Sequence, residues 1–365
     1  AALLAVVEQL EGFEAPAASW ESDLLAARMT RFWPHDLDAL CQSGRVVWAR
    51  ITPPRASADT RSGAGPVRAT PIALTPRRRL GLWRRLGGAG QEGKISDAAR
   101  TVVQAMGELG ASFFDDLQHR TGLLRTQLEQ ALGQLVAAGR VHADRFAGLR
   151  ALVEPAQRRR RSERLRRQRN LPSGVEDAGR WSVLPPVPES VGSARGWHAS
   201  GLDDEDLETV ARALLRRYGV VFRRVLEREA EHLPPWREVL RVYHRLEARG
   251  EVRGGRFVAG FSGEQFALPE AVGSLRRLRD REHGNELLVV SAVDPLNLVG
   301  IITPDERVPA LSANRVLYRG GVPVAALVRG EVRILADRLE PAQHWRAREM
   351  LVQGAAVRHL RERAG

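Results

Sequence analysis

Leu132 to Phe146 reads LGQLVAAGRVHADRF, and its pattern stands twice more, as LDALCQSGRVVW (Leu37 to Trp48) and YHRLEARGEVRGGRF (Tyr243 to Phe257). Each copy has leucine or tyrosine seven residues before a glycine (Leu37, Leu132, Tyr243) and leucine four before it (Leu40, Leu135, Leu246). Apolar positions three and four apart give a helix one face to bury. The glycine past the last turn (Gly44, Gly139, Gly250) supplies a left-handed cap. A valine two residues later (Val46, Val141, Val252) starts a strand, and a turn with basic residues follows. Helix, cap, strand and turn in that order describe the third helix and wing of a winged-helix module.

Around these copies the chain has 365 residues, enough for two to four domains at roughly 100–200 residues each. Apolar residues at 43% and charged residues at 27% are ordinary for a soluble globular protein. No apolar run reaches the length of about 18 residues that a membrane helix needs. The N-terminus has no basic lead before its apolar residues, so no signal peptide is expected. It opens at Ala1 inside a helical pattern, so a fragment of a longer chain is expected. The single cysteine, Cys41, excludes an internal disulfide and a cysteine-rich zinc site, and it falls on an apolar helix face. The nine histidines show no metal-ligand spacing. No metal, no cofactor and a reducing cytoplasm are the expectation. The formal charge of +12, from 56 basic and 44 acidic residues, points toward nucleic acid or another polyanion. Lys94 is the only lysine. That usage is what a GC-rich genome produces, so the net sign carries the argument rather than the arginine preference.

The expected architecture is α+β: tandem winged-helix modules, then a small β-barrel and a C-terminal helix. The first module occupies 1–75. It has a helix from Ala1 to Leu10, a turn at Phe13 to Pro16, and a helix from Ser19 through Arg28. Pro34 opens the first copy of the repeat, and strands follow at Val46 to Ile51 and Pro71 to Thr75. The glycine- and proline-bearing 53–70 reads as a flexible loop between them. A basic loop, 76–95, carries Arg77, Arg78, Arg79, Arg84 and Arg85 around Trp83. The second module, 96–153, has helices capped by Ser96 and Ser112, a third from Leu123 to Ala138, and a two-stranded wing over Val141 to Leu152.

An arginine-rich linker, 154–200, contains eight arginines and one acid between Gln157 and Arg169. It reads either as an arm along a phosphate backbone or as a solvated linker. A strand is expected at Trp181 to Leu184. The third module, 201–259, opens with the acidic Asp203 to Asp206 at a helix N-terminus, starts its second helix at Val220 to Leu226 and runs its third from Trp236 to Arg249. Short strands at Leu287–Val293, Leu298–Ile302, Arg315–Tyr318, Val322–Val328 and Val332–Leu335 make 260–340 the expected barrel. The C-terminal helix is 341–365.

Gly88 to Lys94, GAGQEGK, satisfies the phosphate-loop spacing, but Ile95 stands where the magnesium-binding Ser or Thr belongs and no buried strand precedes it. ATP hydrolysis by this chain is not expected. Two readings stand for Asp294, between apolar strands and before Pro295. It is either an acid or base poised by partial burial, or a turn former that accepts backbone N–H bonds. Glu264, in the loop Gly260 to Phe266, is the second candidate carboxylate.

EGFEAPAASWE (Glu11 to Glu21), LDALCQSGRVVW, GASFFDDL (Gly110 to Leu117), GRFVAGFSGEQFALPEAV (Gly255 to Val272) and SAVDPLNLVGI (Ser291 to Ile301) resemble the C-terminal region of the bacterial large helicase-related proteins. These are superfamily 2 DNA helicases linked to DNA repair. The resemblance implies winged helices followed by a β-barrel, a helicase core upstream on the same polypeptide, DNA (single-stranded or duplex) as partner and a homo-oligomer as an option. The arrangement is also similar to a bacterial family of glycosylases that unhook alkylated and crosslinked bases. Ser291 to Pro295 looks like a motif of that family, whereas its catalytic glutamine pair has no counterpart here. Uracil excision is associated with the helicase family's C-terminal region, so a DNA glycosylase (uracil or alkylated base) using Asp294 or Glu264 is the alternative function.

The outward faces of the three copies differ. The first offers His35, Asp36, Asp38, Ala39 and Gln42, poor for phosphate. The second offers Thr126, Gln130, Gly133 and Ala137, small enough to pack against another helix or subunit. The third offers Arg237, Arg241, His244 and Arg245, with Arg253 and Arg256 in the following turn. One winged helix is therefore expected to touch DNA through its helix, with Arg158, Arg159, Arg160 and Arg161 as further phosphate contacts.

Overall fold

The computed structural model describes residues 2–52, 54, 67–88, 95–154, 179–187, 201–280, 284, 286–335 and 339–353. Most of the loop expected at 53–70, GAGQEGK beyond Gly88, and Gln157 to Arg169 with Arg158 to Arg161 lie outside these residues. The chain divides into two compact units, Ala1–Trp20 with Met29–Trp197, and Glu21–Arg28 with His198–Gly365.

In the first unit, α1 (Ala2–Gln9) leads to β1 (Glu14–Pro16), α2 (Pro34–Gln42), β2 (Val46–Ala49) and β3 (Pro71–Pro76). The sheet order is β1-β3-β2, all antiparallel. Phe13 to Pro16 thus ends in a strand rather than staying a turn. The basic stretch at 76–95 is not a loop throughout: α3 (Leu80–Gly87) forms because Leu80, Leu82 and Trp83 bury together on one side. The Trp83 indole packs where any Cβ on Gly12 would sit and donates to the buried Glu11 carboxylate at 3.0 Å.

The second module has α4 (Asp97–Leu109), α5 (Phe114–Thr121), α6 (Arg125–Ala137) and β4 (Val141–Ala143). Its wing is built differently from the expected hairpin. α7 (Phe146–Val153) follows β4, burying Phe146 and Leu149 three residues apart, and β4 pairs with β5 (Trp181–Val183). Ser112 does not cap α5; it forms a β-bridge to Trp181. The order Ser112 bridge, β5, β4 therefore repeats β1-β3-β2. Trp48 of β2 stands edge-on to His142, Phe146 and Trp181, so the two modules share one aromatic core.

In the second unit, α8 (Asp204–Tyr218) is followed by β6 (Val220–Val221), α9 (Trp236–Ala248), β7 (Arg253–Gly255) and β8 (Gln265–Ala267) in the order β6-β8-β7. Val220 to Leu226 starts no α-helix: it gives β6 and then a 3-10 turn, Arg223–Arg228. The last strand is central in all three modules.

The three caps are also the same. Gly44, Gly139 and Gly250 take φ of 71°, 68° and 74°. The next N–H donates to the leucine carbonyl five residues back, Arg45 to Leu40 at 3.2 Å, Arg140 to Leu135 at 2.9 Å and Glu251 to Leu246 at 2.9 Å. This is the Schellman motif, and it turns the chain into the strand.

Beyond β8, α10 (Pro269–Arg279) occupies part of the span expected to be the barrel. A four-stranded antiparallel meander follows, β9 (Leu287–Ser291), β10 (Arg315–Arg319), β11 (Val322–Val328) and β12 (Glu331–Ile334), in the order β12-β11-β10-β9. No closed barrel forms among the described residues: β9 and β12 are the edges, and Leu298–Ile302 makes turns instead of a strand. Both faces of the meander are nevertheless covered. Val316, Ala326 and Val328 pack with Ala292, Val299 and Val308, while Leu317, Ala325 and Leu327 pack with Ala347 and Leu351 of α11 (His344–Gln353). With the second face under a helix, the sheet need not close on itself.

Candidate nucleic-acid interface

The sequence of α9 divides its faces sharply. Val239, Val242, Tyr243 and Leu246 are buried, and the Tyr243 hydroxyl donates to the Ala211 carbonyl of α8 at 3.0 Å. Arg237, Arg241 and His244 follow one another at helical spacing on the exposed side. Arg237 and Arg241 have no acidic partner among the described residues. Arg245 is placed differently: it is ion-paired to Asp204 at 2.7 Å, beside the N-terminus of α8.

The wing is tied to this helix through carboxylates and one amide. Glu247 Oε1 accepts the Gly254 N–H at 2.9 Å and lies where a Cβ on residue 254 would be. His244 Nε2 lies 3.3 Å from Glu264 Oε1, so Glu264 sits at the wing and faces α9. Gln265 is fully buried; its side chain accepts from Phe257 N and Val258 N at 2.9 and 2.8 Å and donates to Val258 O at 2.9 Å. Phe261 packs on Phe222 with ring centroids 5.1 Å apart. These contacts hold the exposed Arg253 and Arg256 on an ordered loop. Gln265 and Glu247 carry no periodic signal, because a side chain that replaces a backbone partner has no repeat.

In the first unit the equivalent faces are partly engaged by neighbouring segments. Asp38 on α2 accepts the Ala147 N–H at 2.7 Å and pairs with Arg150 at 3.1 Å, closing the N-terminus of α7. On α6, a Cβ on Gly133 would meet Val67 at 3.0 Å, and Arg50 donates to the Ala137 carbonyl at the helix end. The small face of α6 thus packs against the segment leading into β3.

Asp294 is buried, and Arg28 grips both its oxygens, Nη1 to Oδ2 at 2.5 Å and Nη2 to Oδ1 at 2.8 Å. Oδ1 also accepts the Leu296 N–H at 2.8 Å, the turn-forming bond. Arg228 donates to the Val293 and Asp294 carbonyls at 2.7 and 2.9 Å, and burial pushes its pKa down. Burial and then the Asp294 charge push the Tyr318 hydroxyl well up. The structure therefore brings Asp294 together with Arg28 and Arg228, and Glu264 with His244. No hydrogen bond or ion pair joins the two carboxylates among the described residues. No cluster of three or more His, Cys, Asp or Glu among those residues is placed to hold a metal. No helix among them is long and apolar enough to cross a membrane.

Two stretches match family models described as large helicase-related protein, winged-helix domain: residues 1–77 and residues 201–287. The chain is 30% identical over 324 residues to a Mycolicibacterium smegmatis protein named Lhr helicase/probable uracil glycosylase, covering 82% of this chain and 19% of the relative. It is 27% identical over 369 residues to an Escherichia coli protein named Lhr helicase/uracil glycosylase, covering 91% of this chain and 22% of that relative. The chain thus spans about a fifth of the length of the curated relatives it matches.

Proposed function

We propose that this chain, which belongs to the large helicase-related family, holds duplex DNA for a helicase core on the same polypeptide. The third winged helix makes the contact, with α9 in the major groove and the wing on the adjacent backbone. One observation carries this: Arg237 and Arg241 on α9 are exposed and unpaired among the described residues, whereas the outward face of α2 carries the acidic Asp36 and Asp38 and that of α6 the uncharged Thr126 and Gln130. Arg253 and Arg256 extend the same positive surface along the wing. Arg245, already paired to Asp204, contributes less than its neighbours. The test is a fluorescence-anisotropy titration of a labelled duplex: Arg237→Glu/Arg241→Glu should bind at least about tenfold more weakly. Unchanged affinity would rule out this face.

A second reading is favoured by the names of both relatives, which include uracil glycosylase. In it a flipped base is excised near the wing or the 291–302 turn, with Glu264 or Asp294 as acid or base. Glu264→Gln tests it best, because Glu264 is exposed and its loss should leave the fold intact. The assay is formation of alkali-labile sites in a uracil-containing oligonucleotide. No product from the wild-type chain would remove the reading, and full activity in Glu264→Gln and Asp294→Asn would remove these residues from it.

A further inference from the structure

The basic stretch around Trp83 is absorbed neither by the third winged helix nor by the shared core. Its exposed arginines meet others at one edge of the first unit. The Arg77 N–H donates to the Arg45 carbonyl at 3.1 Å, where the end of β3 lies beside the start of β2. Leu80 packs with Val47, Ala49 and Leu184. One turn beyond Leu80, Arg84 donates to the Pro185 carbonyl, and Leu184 N donates to the Arg140 carbonyl at 2.8 Å. Arg45, Arg77, Arg84 and Arg140 are therefore gathered where the two sheets of this unit meet. Arg45 and Arg77 have no acidic partner among the described residues. The acids nearby are committed, Asp144 to Arg180 at 3.0 Å and Glu11 to Arg79 at 2.5 Å. The part-buried Ser182 hydroxyl is 3.1 Å from Nε2 of the buried His142. The charge is felt inside: after burial, the Arg77 guanidinium is the largest cause that pushes His142 down to about 4, and Arg84 adds to it.

We infer that Arg45, Arg77 and Arg84 form a second binding surface, for the phosphate backbone of a nucleic-acid strand. Arg45 and Arg77, exposed and without acidic partners among the described residues, supply what phosphate needs, guanidinium donors and uncompensated charge. The surface makes no base contacts, so it adds affinity without sequence preference. It rests on the DNA-binding reading of the whole chain but on different residues.

The experiment titrates the full chain against a labelled duplex across a series of salt concentrations. Arg77→Glu/Arg84→Glu should weaken binding at least about tenfold and flatten the log–log salt slope by about 2, one for each lost phosphate contact. The neutral Arg77→Gln/Arg84→Gln should show the same change of slope with a smaller loss, and serves if the charge reversal unfolds. Arg346→Glu/Arg348→Glu on exposed α11 removes the same net charge elsewhere and should bind nearly as wild type. An unchanged slope in the Arg77/Arg84 variants, or an equal loss in the Arg346/Arg348 variant, would overturn the surface. Absence of binding by the wild type would sink both this surface and the reading it rests on, whereas binding that fails only in Arg237→Glu/Arg241→Glu would sink this surface alone.

Discussion

Arg28 and Asp294, far apart in sequence, form a two-armed ion pair in which the carboxylate is 2% and the guanidinium 12% exposed. Arg28 Nη1 also donates to the Leu24 carbonyl at 3.1 Å, so the arginine is fixed at both ends of its contact. Removing one partner leaves the other charged and buried. Asp294→Ala or Arg28→Ala should each destabilise the second unit by about 3–5 kcal/mol. The double replacement should cost clearly less than the sum. Chemical denaturation of the four species measures this, and additive losses would show that the pair is not coupled.

His142 gives the first unit a pH dependence whose sign is fixed. Burial first, then Arg77, lowers its pKa from 6.5 to about 4. The unfolded chain therefore takes up the proton before the folded one as pH falls. The stabilisation is fully present above about 6.5 and is lost as pH falls toward about 4. The two values differ by an amount worth on the order of 3 kcal/mol. His142→Gln should remove that slope between about pH 6.5 and 4. Parallel stability–pH curves for wild type and variant would contradict it.

The three Schellman glycines can be compared directly. A Cβ on Gly250 would meet nothing within 4 Å, so Gly250→Ala isolates the cost of the left-handed backbone. The expected loss is about 1–2 kcal/mol, with Gly250→Asn costing less. A neutral alanine, read by thermal unfolding, would show that the helix end relaxes out of this conformation.

The repeat was legible because a helix face, a glycine cap and a strand start are local demands, met by residues within one short stretch. Gly44, Gly139 and Gly250 were identified that way, and so was the strand at Trp181. What closed each module was not local. Phe146 to Leu152 is apolar enough to read as wing strands or as the helix α7. Asp38, more than one hundred residues earlier, decides it by accepting the Ala147 N–H. Strand spacing and the family resemblance both point to a barrel. Whether a sheet closes depends on what covers its second face, and Ala347 and Leu351 do that from the end of the chain. Of the candidate interface, the unequal outward faces were visible in sequence. The pairing of Arg245 with Asp204 and the Gln265 amide that orders the wing were not, since each needs two segments brought together.

On the proposed function, the third winged helix alone presents its recognition helix to DNA. The most direct measurement is the salt dependence of duplex affinity for two charge-altering variants of matched folds. Arg237→Glu/Arg241→Glu should lose affinity at least about tenfold and reduce the slope by about 2. Gln127→Glu/Gln130→Glu on the second module's helix should change affinity by less than about twofold with the slope intact. Equal losses in the two variants would contradict the assignment of the DNA face to α9.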